Sequence, residues 1–266
     1  MNYSLCELFS MLDVSEEVPR MPGPPSGAGE LFTAETSDAA MTHNDNARRV
    51  NQEDVVVVSG LYSAGGVDFS ALPAAAQRLY ELSLDAFDAF VHAWMSELPL
   101  EREMLRFGRK VLAAVDSGAA ESAANNRADS DVRPVLEAAY KVWREIERFR
   151  GLLRFTPDND CRYIARCEPD YFILPALGGH FSLRFGSTPW AIIDDKRRLC
   201  LCCFSGEAPE LYALPAADGG KPAETDEWEN LWLNYHRTIN NESRKNPVLQ
   251  RQFMPKRYWK NLPEMK

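Results

Sequence analysis

Gly151-Leu152-Leu153-Arg154-Phe155-Thr156-Pro157-Asp158-Asn159-Asp160-Cys161-Arg162-Tyr163-Ile164-Ala165-Arg166 is where the chain changes its hydrophobic period. Before it, apolar residues return every three or four positions; within it they come in short runs separated by a turn. Leu152 to Phe155 and Cys161 to Arg166 flank Pro157-Asp158-Asn159-Asp160, which has strong turn chemistry, so the stretch predicts a β-hairpin. Downstream, Ile173 to Phe185 predicts a helix with Leu177, Phe181 and Leu183 or Phe185 inward. Trp190 to Asp194 and Leu199 to Phe204 predict two further strands, joined by the charged turn Asp195-Lys196-Arg197-Arg198. The fold class that follows is α+β: a mainly helical N-terminal half, then a small antiparallel sheet (ββαββ) packed by C-terminal helices.

Upstream, Leu5, Leu8, Phe9 and Leu12 give a short helical stripe, followed by a breaker-rich linker from Pro19 to Gly29. Residues 1–30 therefore form an N-terminal segment, 31–149 a mainly helical region and 150–266 an α+β region. Leu31-Phe32-Thr33 is a short strand or turn, and Ala39 to Val50 a helix. The valines of Asp54-Val55-Val56-Val57-Val58 favour a strand over the end of that helix. From Ala75 through Leu79, Leu82, Phe87 and Phe90 to Trp94 the spacing predicts one helix, closed by Pro99. Glu101 to Val115 predicts another, and Ala119 to Asp131 a loop. Asp131 is then placed to cap a long helix whose buried stripe is Val135, Leu136, Ala139, Val142, Trp143 and Ile146.

With 266 residues, 45% hydrophobic and 26% charged, the chain has the composition of a globular protein with a substantial core. No apolar run reaches the roughly 18 residues of a membrane span. Met1-Asn2-Tyr3-Ser4-Leu5 has no basic signal-peptide start, so a cytoplasmic location with reduced thiols is expected. Cys200, Cys202 and Cys203 are too crowded for a disulfide framework. Cys200 and Cys202 share a strand face and, with Cys161 and Cys167 across the sheet, are weighed as a four-thiolate set for zinc or an iron–sulfur cluster, but no CxxC pair is present, and neither metal nor cofactor is expected.

The carboxyl end carries the opposite charge from the body. From Trp232 to Lys266 there are eight Lys or Arg against two Glu, a net of +6, so the preceding 231 residues carry −15 of the total −9. Trp228, Leu231, Trp232, Tyr235 and Ile239 share a helical face, with Thr225 as its cap and Pro215 to Thr225 as the preceding loop. Asn246-Pro247 then restarts the chain as cap and first-turn proline. Arg237, Arg244, Lys245, Arg251, Lys256, Arg257 and Lys260 alternate with Tyr235, Phe253, Tyr258 and Trp259, a pattern of phosphate contacts beside stacking rings. Arg144, Arg148, Arg150 and Arg154, with Arg162 and Arg166 on the paired strand, form a second basic cluster. Internal pairing with Glu145, Glu147 and Glu168 is its alternative. His180 with Asp194 is a candidate acid–base pair or ligand set, against the plainer reading of a histidine at the edge of the core. His43, His92 and His236 show no ligand spacing.

Several of these segments resemble one bacterial family. They are Lys141-Val142-Trp143-Arg144-Glu145 through Phe155, His180-Phe181 with Arg184-Phe185, Trp190 to Asp194 with Lys196-Arg197, and Leu231 onward to Met254-Pro255-Lys256-Arg257-Tyr258-Trp259 and Leu262-Pro263-Glu264. Together they resemble the DUF4130 family over residues 131–266. The resemblance implies a DNA-metabolism protein linked to a radical SAM DNA modification or repair enzyme, with some relatives fused to a uracil-DNA glycosylase-like domain. The family usually has His-Arg where this chain has Glu147-Arg148, and opens on a strand with an Asp-Gly turn, whereas this chain opens at Asn2-Tyr3 with no such dipeptide there.

The expectation is thus a DNA-repair accessory protein with no activity of its own. It binds DNA through Arg148, Arg154, Arg184, Arg197, Arg244, Arg251, Lys256 and Arg257, with Tyr258 or Trp259 stacking on bases. Two alternatives stand beside it: an enzyme acting on a nucleobase or phosphodiester through His180 and Asp194, and a scaffold whose basic end meets a protein partner.

Overall fold

Ser4 and Glu7 open the first helix by capping each other. The Ser4 amide donates to the Glu7 carboxylate at 2.7 Å and the Glu7 amide to Ser4 Oγ at 3.1 Å. This computed structural model describes residues 3–13, 52–62, 66–70, 72–116, 118–157, 162–204, 207–214 and 246–265, with 233 and 238 as isolated positions. Outside the described residues lie the Pro19 to Gly29 linker, Leu31-Phe32-Thr33, Ala39 to Val50, the loop before Thr225, the Trp228 to Ile239 stripe and Arg237, Arg244 and Lys245.

Helix α1 (Leu5–Asp13) buries Leu5, Leu8, Phe9 and Leu12 as its spacing predicts. Helix α2 (Gln52–Leu61) occupies the valine run expected as a strand. Val55, Val57 and Val58 are buried and Val56 faces out, and the Asp54 carboxylate accepts from the Cys6 amide at 3.2 Å, tying α2 to α1. A run this short does not discriminate between the two periods, and the few tenths of a kcal/mol that each valine costs a helix are outweighed by packing.

Ser83 divides what reads as one helix into α3 (Ala74–Leu82) and α4 (Leu84–Met95). Its backbone is extended and its hydroxyl accepts from the Ala86 amide at 3.1 Å, so a hydroxyl that competes with the helix ladder becomes the next helix's cap. Helix α5 (Glu101–Ala113) follows, but it stops two residues short of Val115, which is exposed. The predicted loop after it contains a short helix, α6 (Ala119–Ala124).

Helix α7 (Val132–Leu152) packs along α4 and carries the centre of the core through Val135, Val142, Ile146 and Phe149. Asp131 precedes it, but its carboxylate bonds Lys110 at 2.8 Å and Arg106 at 3.2 Å instead of the helix amides. The Asp129 carboxylate takes that place, accepting from the Asp131 and Val132 amides at 2.8 and 3.4 Å.

The sheet has the order β1-β2-β3-β4-β5, from β1 (Thr156–Pro157), β2 (Tyr163–Cys167), β3 (Trp190–Asp194), β4 (Leu199–Cys203) and β5 (Glu210–Ala213). The predicted hairpin is present with a first strand of two residues; Leu152 closes α7 and Arg154 lies between helix and strand. The sheet is mixed rather than purely antiparallel. Helix α8 (Leu174–Phe185) crosses over between β2 and β3, so those two strands run parallel while the other pairs are antiparallel. Leu177 and Phe181 point inward from α8 and Leu183 outward. Strand β5 has no counterpart in the sequence reading. The architecture is α+β, with one hydrophobic core running from Leu5 through the helices to Leu211 and Tyr258. No helix among the described residues is long and apolar enough to cross a membrane.

Beyond residue 246 the chain forms α9 (Pro247–Phe253) and two 3₁₀ turns, Lys256–Asn261 and Pro263–Met265. Asn246 caps α9 by accepting from the Leu249 amide at 3.0 Å, ahead of the first-turn proline, as the sequence signals.

Candidate nucleic-acid interface

Helix α7 makes two faces from one sequence. Its inner face buries aliphatic residues, while Tyr140 and Trp143 stand outside, 53% and 46% exposed. The rotation of about 100° per residue carries Trp143 away from its core neighbour Val142, so the Trp143 expected in the buried stripe lies on the surface. Tyr140 and Trp143 stack, with ring centroids 6.0 Å apart and planes 24° from parallel. The Arg144 guanidinium sits 5.7 Å above the Tyr140 ring. One turn on, Arg148 donates to the Gln252 carbonyl at 3.4 Å and so joins this face to α9.

Helix α9 buries none of its residues. Phe253 is 62% exposed, and Arg251 is exposed with its Nε on the Pro247 carbonyl at 3.0 Å. Just beyond, the Lys256 ammonium lies 5.8 Å from the Trp259 ring centre, and the half-buried Trp259 indole N–H donates to the Met254 carbonyl at 2.8 Å. Lys141 and Glu137 are also exposed on the outer side of α7, and Glu147 is engaged by Arg150.

Among the described residues, Arg257 and Lys260 of the tail, and Arg154 facing it, serve the fold. Arg257 pairs with Asp170 at 2.7 Å, Lys260 with Glu168, and Arg154 with Glu264 at 2.5 Å. Tyr258 is a core residue: its ring meets Phe149 edge-on at 4.9 Å and its hydroxyl donates to Glu145. Glu145, buried on α7, also accepts from the Asp170 and Tyr171 amides at 2.9 and 2.8 Å. Burial pushes the Glu145 carboxyl up despite these donors, and burial followed by the Glu145 carboxylate pushes the Tyr258 phenol up. Arg197 lies beneath the surface between Glu97 and Asp194, reaching Asp194 at 2.9 Å and the Asp170 carbonyl at 2.8 Å. The sites expected at Arg154, Arg197, Arg257 and Tyr258 therefore coincide with internal contacts, because acids distant in sequence fold back onto them. Arg184 is exposed on α8, and Arg244 lies outside the described residues.

His180 and Asp194 stand apart. Half-buried His180 is held below its ordinary value by desolvation and by the charges of Arg150 and Arg184. Asp194 is fully buried, its carboxyl raised by burial, and it accepts from the Lys196 and Arg197 amides at 3.0 and 3.1 Å to shape the β3–β4 turn. No hydrogen bond joins the two. A polar set that the sequence does not signal lies nearer His180. The Tyr62 hydroxyl meets His92 Nε2, and Arg150 stands 5.5 Å over the Tyr62 ring while pairing with Glu147. Burial lowers His92 to about 4.

The four-thiolate set is not assembled among the described residues. Cys167 faces inward and donates to the Ile193 carbonyl at 3.4 Å, Cys203 faces inward toward the Glu207 carbonyl at 3.1 Å, and Cys161 lies outside them. Among the described residues, the cysteines that meet are Cys200 and Cys202, Sγ to Sγ at 3.0 Å. No group of three or more metal-binding side chains occurs among the described residues.

Comparison with protein families places residues 106–264 in the domain of unknown function DUF4130. The chain belongs to the DUF4130 family. The matched region covers the second half of α5, all of α7, the sheet, α8 and the tail, and so includes the outer face of α7 and α9. Tyr62 and His92 lie before it. Comparisons with curated proteins and with solved structures return no match. Phe253, named from sequence among the stacking rings, is exposed, whereas the sequence does not single out Tyr140 and Trp143 as surface residues. The available signal was α7 itself, whose core positions are already filled by Ala139, Val142 and Ile146.

Proposed function

We propose that this DUF4130 protein is a DNA-metabolism accessory factor that binds unpaired DNA along the outer face of α7 and α9 and serves a radical SAM DNA modification or repair enzyme. The observation that carries the DNA reading is the exposed, stacked Tyr140–Trp143 pair under Arg144, with Arg148 one turn away. Large aromatic rings left in water cost free energy unless a partner covers them. A base stacked on such a ring gains roughly 1–3 kcal/mol whatever its identity. Guanidinium groups one helical turn apart suit successive backbone phosphates. The radical SAM partner and the repair context come from the family likeness alone.

The test is a titration of the full chain against single- and double-stranded oligonucleotides at two ionic strengths. Single-stranded DNA is expected to bind more tightly, with a salt slope near 0.7 per phosphate neutralised. Arg144→Glu with Arg148→Glu should weaken binding and flatten that slope. Unchanged affinity and slope in this double variant overturn the assignment of the site. A separate pull-down of the radical SAM enzyme, with and without nuclease, tests the partner: retention after nuclease treatment supports direct contact.

A further inference from the structure

The outer surface of the sheet holds a second, chemically different arrangement. Residues alternate across the strands, so Ala165, Ile192, Leu201 and Leu211 face the core while Arg166, Ile193, Cys200 and Cys202 face the other way. In register, Arg166 pairs with Ile193 and Ile193 with Cys200, whereas Cys202 is paired with Ala191 on one side and Glu210 on the other. Cys200 is almost covered and Cys202 is half-buried. Their sulfurs point along the strand at each other, 3.0 Å apart.

The strand limits what this pair can do. Two residues of extended chain separate the Cβ atoms by about 6.6 Å, against roughly 3.5–4.5 Å in a disulfide. A bond between the sulfurs would require β4 to buckle in the middle of the sheet, where it is hydrogen-bonded on both edges. A metal ion spanning the two sulfurs requires no such movement. With metal–thiolate bonds of about 2.3 Å, a linear bridge places the sulfurs about 4.6 Å apart, reached by small rotations about the two Cα–Cβ bonds.

We infer that Cys200 and Cys202 form a two-thiolate chelate for a soft monovalent ion, copper(I) being the class member that thiolates select. Binding releases two thiol protons and leaves a bis-thiolate complex of net charge −1. The sign of its surroundings matters accordingly. The Arg166 charge acts on Cys200 and the Arg162 charge on Cys202, whereas Glu210 opposes them beside Cys202. Arg166 is also paired with Asp195, and Glu210 accepts from the Tyr212 hydroxyl. Zinc is disfavoured because it wants four ligands, and no third or fourth donor joins the two thiols among the described residues. This site is independent of the DNA reading, which uses another face.

The test is anaerobic competition for copper(I) between the reduced full chain and a chromogenic chelator such as bicinchoninate. One ion per chain is expected. Cys200→Ser and Cys202→Ser should each weaken it at least a hundredfold, while Cys167→Ser and Cys203→Ser leave it within threefold. Near-ultraviolet circular dichroism checks that each variant is folded. No binding by the wild-type chain, or binding that survives the Cys200→Ser/Cys202→Ser double variant, overturns the site. Zinc held as tightly as copper(I) overturns the two-coordinate assignment.

Discussion

Tyr258 donates its hydroxyl hydrogen to Glu145, a carboxylate 113 residues earlier in the chain and 1% exposed. This bond makes the basic tail part of the fold. Glu145 holds the loop after β2 through two amides and the tail through one phenol, so one buried carboxylate organises three segments. Tyr258→Phe keeps the ring against Phe149 but takes one donor from a buried acceptor. A loss of about 1–3 kcal/mol is expected on that basis, read as a lower urea midpoint with unchanged m-value. Hydrogen exchange should rise in 256–265 before it rises in α7. A variant as stable as the parent would mean that Glu145 is already neutral in the fold and has no need of the phenol.

Arg197 predicts a larger effect. Its guanidinium joins Glu97, which follows α4, to Asp194 at the end of β3, so it ties the helical half to the sheet. Removing one member of a buried ion pair strands the others and typically costs about 3–5 kcal/mol. Arg197→Ala is expected to unfold the chain at moderate temperature. Arg197→Lys should recover only part of the loss, because an ammonium lacks the planar fork that reaches both carboxylates. The decisive measurement is the difference in thermal midpoint between these two variants. If lysine restores the parent value, the fork geometry is irrelevant.

Two groups on α4 predict a hidden pH dependence. Burial lowers His92 from 6.5 to about 4, so below pH 6.5 the unfolded chain takes up a proton that the fold refuses, and stability falls with acid. Burial, and then the charge of Asp85, raise Asp88 from 3.8 to about 6, so in that window the fold takes up a proton that the unfolded chain refuses, and stability rises with acid. Between pH 6 and 4 the two slopes have opposite signs and nearly cancel. Asp88→Asn should therefore expose the histidine limb alone, at most about 1.4 kcal/mol per pH unit. Urea midpoints at pH 7, 6, 5 and 4.5 measure it. Equal pH profiles for parent and variant would show that Asp88 is not raised inside the fold and that there is no opposing limb to remove.

Much of the architecture is legible in the sequence wherever a periodic run is long. The stripes of α1 and α8, the strands at Trp190 and Leu199, and the Asn246-Pro247 cap follow from local chemistry. The departures share a cause: a short segment's state is decided by what it packs against. The valines of α2 are helical because they meet a helical layer, Ser83 breaks a helix that hydrophobic spacing alone runs together, and the crossover by α8 turns one strand pair parallel. The candidate site was less legible for a related reason. Charge counting finds Arg154, Arg257 and Lys260, but Glu264, Asp170 and Glu168 become their partners only through folding.

Trp143 supplies the sharpest separation between folding and binding. Its ring is about half in water and, among the described residues, stacks on Tyr140 alone, so Trp143→Ala should change stability by less than about 0.5–1 kcal/mol, as surface substitutions generally do. The same substitution removes a stacking platform, and single-stranded DNA affinity should fall roughly fivefold to a hundredfold, the range of 1–3 kcal/mol per stacked base. Trp143→Phe should recover most of that loss, since a sequence-tolerant stack needs only an aromatic face. The salt slope should stay at the parent value in both variants, because no phosphate contact has been removed. Oligonucleotide titrations at two ionic strengths with urea unfolding in parallel decide the matter. An affinity loss matched by a stability loss of several kcal/mol would place Trp143 in the core and remove the stacking platform on which the DNA reading rests.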